Sequence, residues 1–390
     1  MTIAIKEKDL KVVCDLFKCI INNYMTINNY MTMESNGDIV KFVGTDMDFI
    51  LQITMKDYCS DKQEKILLPV PKAKYFDNKS KGNISINVDD EKIILSNGIS
   101  LKRKNEREKT CELIDFPVTP DLSSTVAHDM DTLDIDNLAW VHRASSRDET
   151  RYNLQSIFID DDDAVATDGH RIHVAKLKGK LYDSLWPRDI FKHLFKIMKS
   201  FKKDVEISSL HLKQEELDYV GFSVKNKEME IKIIGKVVDA RFPDYKEVLY
   251  GITPEYTMKT VKWSIDHDDF VNDISDLNKM GEKIIMVFGD NKIKMITGEE
   301  KDDHWSSPNP DECQVTMERD LGILPKTDIV NGAKVMFNIN YMNDAVILRD
   351  VNEIMFTCDL SEEEGYNIYP LKIDINGDKI AILMPEKIML

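Results

Sequence analysis

The sequence predicts an α+β chain made of three copies of one unit, and three recurring features predict it. A short alternating strand running into an amphipathic helix occurs at Ile3-Ala4-Ile5, Leu133-Asp134-Ile135 and Trp263-Ser264-Ile265, each 130 residues from the next. Thr45-Asp46 in VGTDMDF pairs with Thr167-Asp168 in VATDGHR, with Thr297 another 130 residues on, and Phe116-Pro117 pairs with Phe242-Pro243. A second helix is expected in every copy. Similarity at a fixed long period marks a chain assembled from repeated supersecondary units.

The elements follow in order. After Ile5, Leu10, Val13, Cys14 and Phe17 fall at i, i+3, i+4 and i+7, one apolar face of a helix. The second helices are expected near VPKAKYFDNK, WPRDIFKHLFKIMKSFKK and NINYMNDAVILRD, with Pro71 and Pro187 where a first helical turn tolerates proline. Alternating stretches such as ISINVDDEKIILS and MEIKIIGKVVD read as strands joined by turns. Small polar residues at 121–130, and Gly251 and Pro254 within 249–260, read as linkers. The expected domains are therefore 1–128, 129–252 and 253–390, each with two helices on a mostly antiparallel sheet.

Composition narrows the function. The chain has 390 residues, 42% of them hydrophobic, enough to bury several cores. Its 69 acidic against 52 basic side chains give a net charge of −17, which argues against a generic coater of polyanions. A local basic stripe remains compatible with that total, because a field depends on where charges sit. No apolar run approaches the roughly 20 residues of a spanning helix and no secretory leader is visible, so a cytoplasmic protein without membrane contact is expected. Cys14, Cys19, Cys59, Cys111, Cys313 and Cys358 form no CxxC pair and read as thiols in a reducing compartment. No phosphate-binding glycine loop and no GxSxG elbow occurs, so neither a cofactor nor a catalytic residue is expected.

Charge is concentrated on one predicted helix. Arg188, Lys192, Lys196, Lys199 and Lys203 are spaced 4, 4, 3 and 4 apart, while Ile190, Phe191, Leu194, Met198 and Phe201 take the other side. Such a stripe is ordinarily a solvated face, but it also suits a phosphate backbone tracked without reading sequence. Lys72, Lys74, Lys79 and Lys81 cluster at the second helix of the first copy, and Lys8, Lys11 and Lys18 lie on its opening helix. The third copy instead opens with Asp266, Asp268, Asp269, Asp273 and Asp276, so any basic surface belongs to the first two copies.

Four strings then become telling: TRYNLQSIFIDDDDAVATDGHRIHVAKL (150–177), DARFPDYKEVL (239–249), FNINYMNDAV (337–346) and ILMPEK (382–387). In this order, and with the triplication, the chain resembles the β subunit of bacterial DNA polymerase III, the DNA sliding clamps. The resemblance implies a head-to-tail homodimeric ring that encircles double-stranded DNA. Such a ring is non-catalytic and tethers the polymerase catalytic subunit, the clamp loader and repair polymerases. It further implies a partner-peptide cleft at Leu154, at Thr167, Gly169, His170, Arg171 and Ile172 of the TDGHR turn, at Pro243 and Val248, and at Ile382, Leu383, Met384 and Pro385. DNA contacts are implied at Arg151 and Tyr152, beside the stripe residues Lys192, Lys196, Lys199 and Lys203 and the lysines Lys72 and Lys11. The chain departs from the family at Glu247, at Glu386, in the charged run 102–110 where an apolar interface strand is usual, and in the acidic segment 299–312.

Two other classes compete. Asp160 to Asp163, Asp168, His170 and His173 could furnish a divalent-metal nuclease. Against that, Ile157–Ile159 and Ala164–Ala166 read as a hairpin with the aspartates in its turn, and two histidines three apart on a strand face opposite ways. No metal is expected. A protein-interaction scaffold would share the cleft but have no topological hold on DNA.

Overall fold

The computed structural model describes residues 2–18, 29–56, 58, 64–77, 82–88, 92–102, 116–201, 205–250, 258–289, 292–298, 316–323, 333–361 and 369–386. The chain opens with β1 (Thr2–Lys6), α1 (Glu7–Phe17), β2 (Tyr30–Asn36), β3 (Ile39–Thr45), β4 (Phe49–Lys56), β5 (Glu64–Pro69), β6 (Asn83–Val88), β7 (Lys92–Leu95) and β8 (Ser100–Lys102). It continues through β9 (Val126–Met130), α2 (Thr132–His142), β10 (Ser156–Asp160), β11 (Asp163–Thr167), β12 (Arg171–Lys176), β13 (Ser184–Pro187), α3 (Arg188–Ser200), β14 (Glu206–Gln214), β15 (Leu217–Lys225), β16 (Met229–Lys236) and α4 (Tyr245–Tyr250). The last part holds β17 (Met258–Asp266), α5 (His267–Leu277), β18 (Lys283–Gly289), β19 (Lys292–Gly298), β20 (Thr316–Ile323), β21 (Ala333–Asn338), α6 (Ile339–Val346), β22 (Glu353–Ser361), β23 (Leu371–Ile375) and β24 (Lys379–Leu383).

These elements form two compact units, one of residues 1–132 and 178–239, the other of 133–177 and 240–390. In the first, β5-β2-β3-β4-β16-β15-β14-β9 make one antiparallel sheet and β1-β6-β7-β8 a smaller one. The join between β4 and β16 is continuous over seven residue pairs, from Met229 opposite Met55 to Gly235 opposite Phe49. The core of α3 against this sheet is aromatic, with Trp186 and Phe191 packed on Phe222 at 5.2 and 5.6 Å. Gly235 allows the close approach: a Cβ there would lie 2.7 Å from the Phe49 ring.

In the second unit, β10-β11-β12-β24-β23-β22-β17 run side by side, and β20-β19-β18-β21 form a second antiparallel sheet. Trp263, Phe270 and Phe356 are its aromatic centre. The Trp140 indole N–H donates to the Ala345 carbonyl at 2.8 Å, and Arg143 donates to the Ile347 carbonyl at 2.9 Å. These bonds tie α2 to the C-terminal end of α6, where a cation also suits the helix dipole.

The repeat is visible in detail at two turns. Thr45 donates to the Phe49 carbonyl and accepts from Met47 N–H, while Asp46 accepts from the N–H groups of Asp48 and Phe49. Thr167 and Asp168 make the same four bonds with Arg171, Gly169 and His170. The third residue of each turn has positive φ, 84° at Met47 and 91° at Gly169. Thr297 instead donates to the Lys283 carbonyl.

Three local expectations need correction. Leu133-Asp134-Ile135 is the first turn of α2, not a strand, because Ile135, Leu138 and Val141 recur with helical spacing and are buried. The strand of that copy is β9, paired with β14, and its residues are too exposed to show an apolar alternation. Residues 121–130 are thus not a plain linker: Leu122 is buried in a turn capped by Asp121, and β9 follows. The second helix of the first copy shrinks to one 3₁₀ turn, Ala73–Tyr75, with Ala73 and Phe76 buried three apart as that helix type requires. Lys79, Lys81, Lys203, residues 103–110 of the basic run and the acidic segment 299–312 lie outside the described residues.

Two buried histidines set an acid limit. His173 stacks on Trp140 at 4.3 Å and is pushed down to about 3 by burial and then by the nearby Arg171 charge. His193 of α3, edge-on to Phe49 at 5.4 Å, is pushed down to about 4, chiefly by burial. The unfolded chain protonates both near pH 6.5 while the fold holds them neutral. Stability present above that pH is therefore lost as pH falls, by about 1.4 kcal/mol per pH unit for each histidine. Urea unfolding at about pH 7 and pH 5 should show the fall, and His173→Leu should reduce it; an unchanged pH dependence in that variant would exclude His173 as the cause.

Candidate partner cleft and basic face

The turn between β11 and β12 organises the cleft residues. Its bonds expose Gly169 and His170 and turn Arg171 inward, where the side chain is only 9% exposed. Arg171 pairs with Asp168 at 3.0 Å and Asp344 at 2.7 Å, and donates to the Arg143 carbonyl at 2.7 Å. Its guanidinium lies 4.4 Å from the centre of the Tyr341 ring, a cation–π contact, and the His170 ring lies 6.3 Å from the same tyrosine. One side chain thus links the turn, the end of α2 and α6.

The other predicted cleft residues come from strand pairing and loop closure. On β24, Ile382 is opposite Ile172 and Leu383 opposite Arg171. The chain then continues into Met384, whose N–H donates to the His170 carbonyl at 2.9 Å. Leu154 is buried, its N–H bonded to the Arg151 carbonyl and its carbonyl to the Ser146 N–H. Asn153 donates to the Arg241 carbonyl at 3.3 Å, and the Phe242 ring stacks on Phe158 at 5.1 Å. These contacts bring the connector carrying Pro243 and Val248 onto the same unit. Leu154, Thr167, Arg171, Ile172, Ile382 and Leu383 are buried, Val248 and Pro385 half-buried, and Gly169, His170, Pro243 and Met384 exposed. Apart from Thr167 and Arg171 the buried members of this set are apolar, and Met384 and the His170 imidazole stand exposed beside them. Glu386 pairs with Lys283 at 3.4 Å.

The aspartate hairpin has a structural job. The Tyr245 hydroxyl donates to Asp160 at 2.9 Å and Asp163 at 3.1 Å, Lys246 pairs with Asp160 at 2.7 Å, and Lys176 pairs with Asp163 at 2.8 Å. The Lys246 ammonium holds the Asp160 carboxyl below its usual range. His173 points into the core, its Nδ1 3.1 Å from the Trp140 carbonyl, while His170 faces out. Among the described residues no group of three or more His, Cys, Asp or Glu could hold a metal ion.

The basic residues divide between the two units. In the first, Lys192, Lys196 and Lys199 are exposed on α3, opposite buried Ile190, Phe191, Leu194 and Ile197. Lys196 donates to the Asp15 carbonyl of α1 at 3.3 Å, and Lys192 lies 3.9 Å from Asp189. Lys11 is half-buried on α1 and Lys72 exposed before the 3₁₀ turn. In the second unit, Arg151 and Tyr152 are exposed, with Arg151 3.5 Å from Asp148 and bonded to the Asp168 carbonyl. Sequence reasoning missed Arg143, Tyr341 and Asp344 as partners of Arg171; Tyr341 and Asp344 lie in a quoted string, but nothing local marks them as its neighbours.

Among the described residues no helix is long and apolar enough to cross a membrane. No protein-family model and no curated protein matches the chain. Solved structures do. The DNA polymerase sliding clamp of Pseudomonas aeruginosa aligns over 100% of both chains with a TM-score of 0.71 at 17% identity. The sliding clamp of Bacillus subtilis also aligns over 100% of both, with a TM-score of 0.74 at 16% identity. The Helicobacter pylori β clamp bound to a DNA ligase peptide aligns over 99% of this chain and 100% of its own, with a TM-score of 0.73 at 14% identity. Over its whole length, therefore, this chain has the fold of the bacterial DNA sliding clamps.

Proposed function

We propose that this protein is a DNA sliding clamp, a non-catalytic processivity factor. In this reading two copies close head to tail around duplex DNA and tether the replicative polymerase. The observation that carries the reading is the clamp fold over the entire chain. The cationic face of α3, on a chain of net charge −17, supports it: an acidic protein with one basic helix holds DNA weakly and lets it slide. The domains would be 1–128, 129–252 and 253–390. Lys192, Lys196, Lys199, Lys203, Lys72 and Lys11 would face the phosphates, with Arg151 and Tyr152 at the edge, where arginine contacts phosphate and tyrosine stacks.

The cleft built on Leu154, the 167–172 turn, Pro243, Val248 and Ile382 to Pro385 would take the peptides of polymerase, clamp loader and repair polymerases. The ligase peptide on the Helicobacter pylori clamp is consistent with peptide tethering. The deciding measurement is retention on nicked circular DNA after loading by the cognate loader, before and after linearisation. Retention on circles and loss from linear ends is expected. Retention indifferent to ends would leave a DNA-associated scaffold.

A further inference from the structure

The matched turns put the two copies in register, and the register shows a site in the first unit that lacks, among the described residues, the side chains filling its counterpart in the second. Counting back from Thr45 and Thr167, Val43 corresponds to Val165 and Lys41 to Asp163. Across the hairpins, Thr32 opposes Val43 as Phe158 opposes Val165, and Glu34 opposes Lys41 as Asp160 opposes Asp163. From the two Phe-Pro pairs, Thr119 stands where the second copy has Tyr245, and Pro120 where it has Lys246.

In the second unit this groove is occupied. Phe158 lies under Phe242, and the Tyr245 hydroxyl reaches both carboxylates. In the first unit both aromatic positions are threonines, and Phe116 packs on Tyr30 and Leu67 instead. What remains beneath the connector is a cavity of about 360 Å³ lined by Thr32, Glu34, Lys41, Val43, Phe116 and Thr119, among others. That is within the size range of ligand pockets. The connector offers Glu34 neither the phenol nor the ammonium that serve Asp160, and the cations near it are Lys41 and Lys65, which oppose it on the neighbouring strands and also line the groove.

We propose that this groove is a docking pocket for a tyrosine side chain presented by an extended segment of a partner protein. The second unit supplies the two parts of the occupant's chemistry from two residues, the Phe158 ring against the connector phenylalanine and the Tyr245 hydroxyl at the paired charged positions, and a single tyrosine would bring both to the first. Here one of the paired charged positions is an acceptor, Glu34, and the other a donor, Lys41. A phenol can donate to the first and accept from the second, which a phenylalanine cannot do. The site is distinct from the peptide cleft and stands without the clamp reading.

The test is methyl NMR of the full chain titrated with N-acetyl-tyrosine amide. Saturable shifts at the Val43, Thr32 and Thr119 methyls are expected, with N-acetyl-phenylalanine amide about tenfold weaker for want of the hydroxyl. Thr32→Phe and, separately, Thr119→Tyr rebuild the side chains of the occupied groove, and each should abolish the response in a folded protein. Unmoved signals, equal shifts in both filled variants, or equal affinity for the two amides would overturn the proposal. Shifts that follow protein concentration without the probe would place a second copy in the groove and overturn it as well.

Discussion

Changing Lys192, Lys196 and Lys199 together to glutamate should weaken binding to a short DNA duplex on the order of 100-fold at ~0.1 M salt. Each phosphate-neutralising cation contributes about 0.9 to the slope of log affinity against log salt, so the slope should fall by about 2.7. All three are exposed, and buried Ile190, Phe191, Leu194 and Ile197 are untouched, so α3 keeps its packing. Exposed substitutions of this kind each change stability by about 0.5 kcal/mol or less. Fluorescence anisotropy across a salt series reads both quantities. A slope that stays at the wild-type value would remove α3 from the DNA face.

Arg171→Met should strongly destabilise the second unit. It leaves Asp168 and Asp344 without their shared cation and the Arg143 carbonyl without its donor. Breaking a buried pair from one side costs about 3–5 kcal/mol. Asp344 is 36% exposed and water can take over part of its load, so about 3 kcal/mol is expected. With a urea m-value of about 3 kcal/mol/M the midpoint should drop by about 1 M. Adding Asp344→Asn should restore part of the loss, because the second change removes a stranded charge, and the double-mutant cycle isolates that coupling. A single-variant cost under about 1 kcal/mol would show that Arg171 does not hold the turn, the end of α2 and α6 together.

How far the sequence disclosed this arrangement depends on the range of the interaction. Local patterns carried well. The Thr-Asp pairs marked equivalent positions of the repeat, and both prove to be turns with the same bonds, in which the Asx side chain caps N–H groups two and three residues ahead. The aspartate hairpin and the two faces of α3 also follow from periods of two and 3.6 residues. Edges and short pieces carried poorly: β9 is exposed on both faces, so no alternation marks it, and three residues at 133–135 are too few to separate strand from helix. The environment of Arg171 was out of reach because Asp344 lies 173 residues away, and only the folded sheet brings it near. The cleft positions, with Arg151 and Tyr152, came through family likeness, whereas the lysine stripe of α3 came from spacing and charge.

The division of the chain into two discontinuous units has a consequence for its synthesis. A ribosome delivers sequence in order, but the first unit needs residues 178–239 to complete the sheet that residues 1–132 begin. Until β16 emerges, roughly 170 residues after β4, the edge of β4 has no partner, an interval on the order of 10–30 s at ~5–20 residues per second. Residues 133–177 wait longer still, because β12 pairs with β24 at the far end of the chain. The nascent polypeptide therefore carries at least one open strand edge for most of its translation, and holding those edges apart from other chains is a task for the cell's chaperones before it is one for the finished protein.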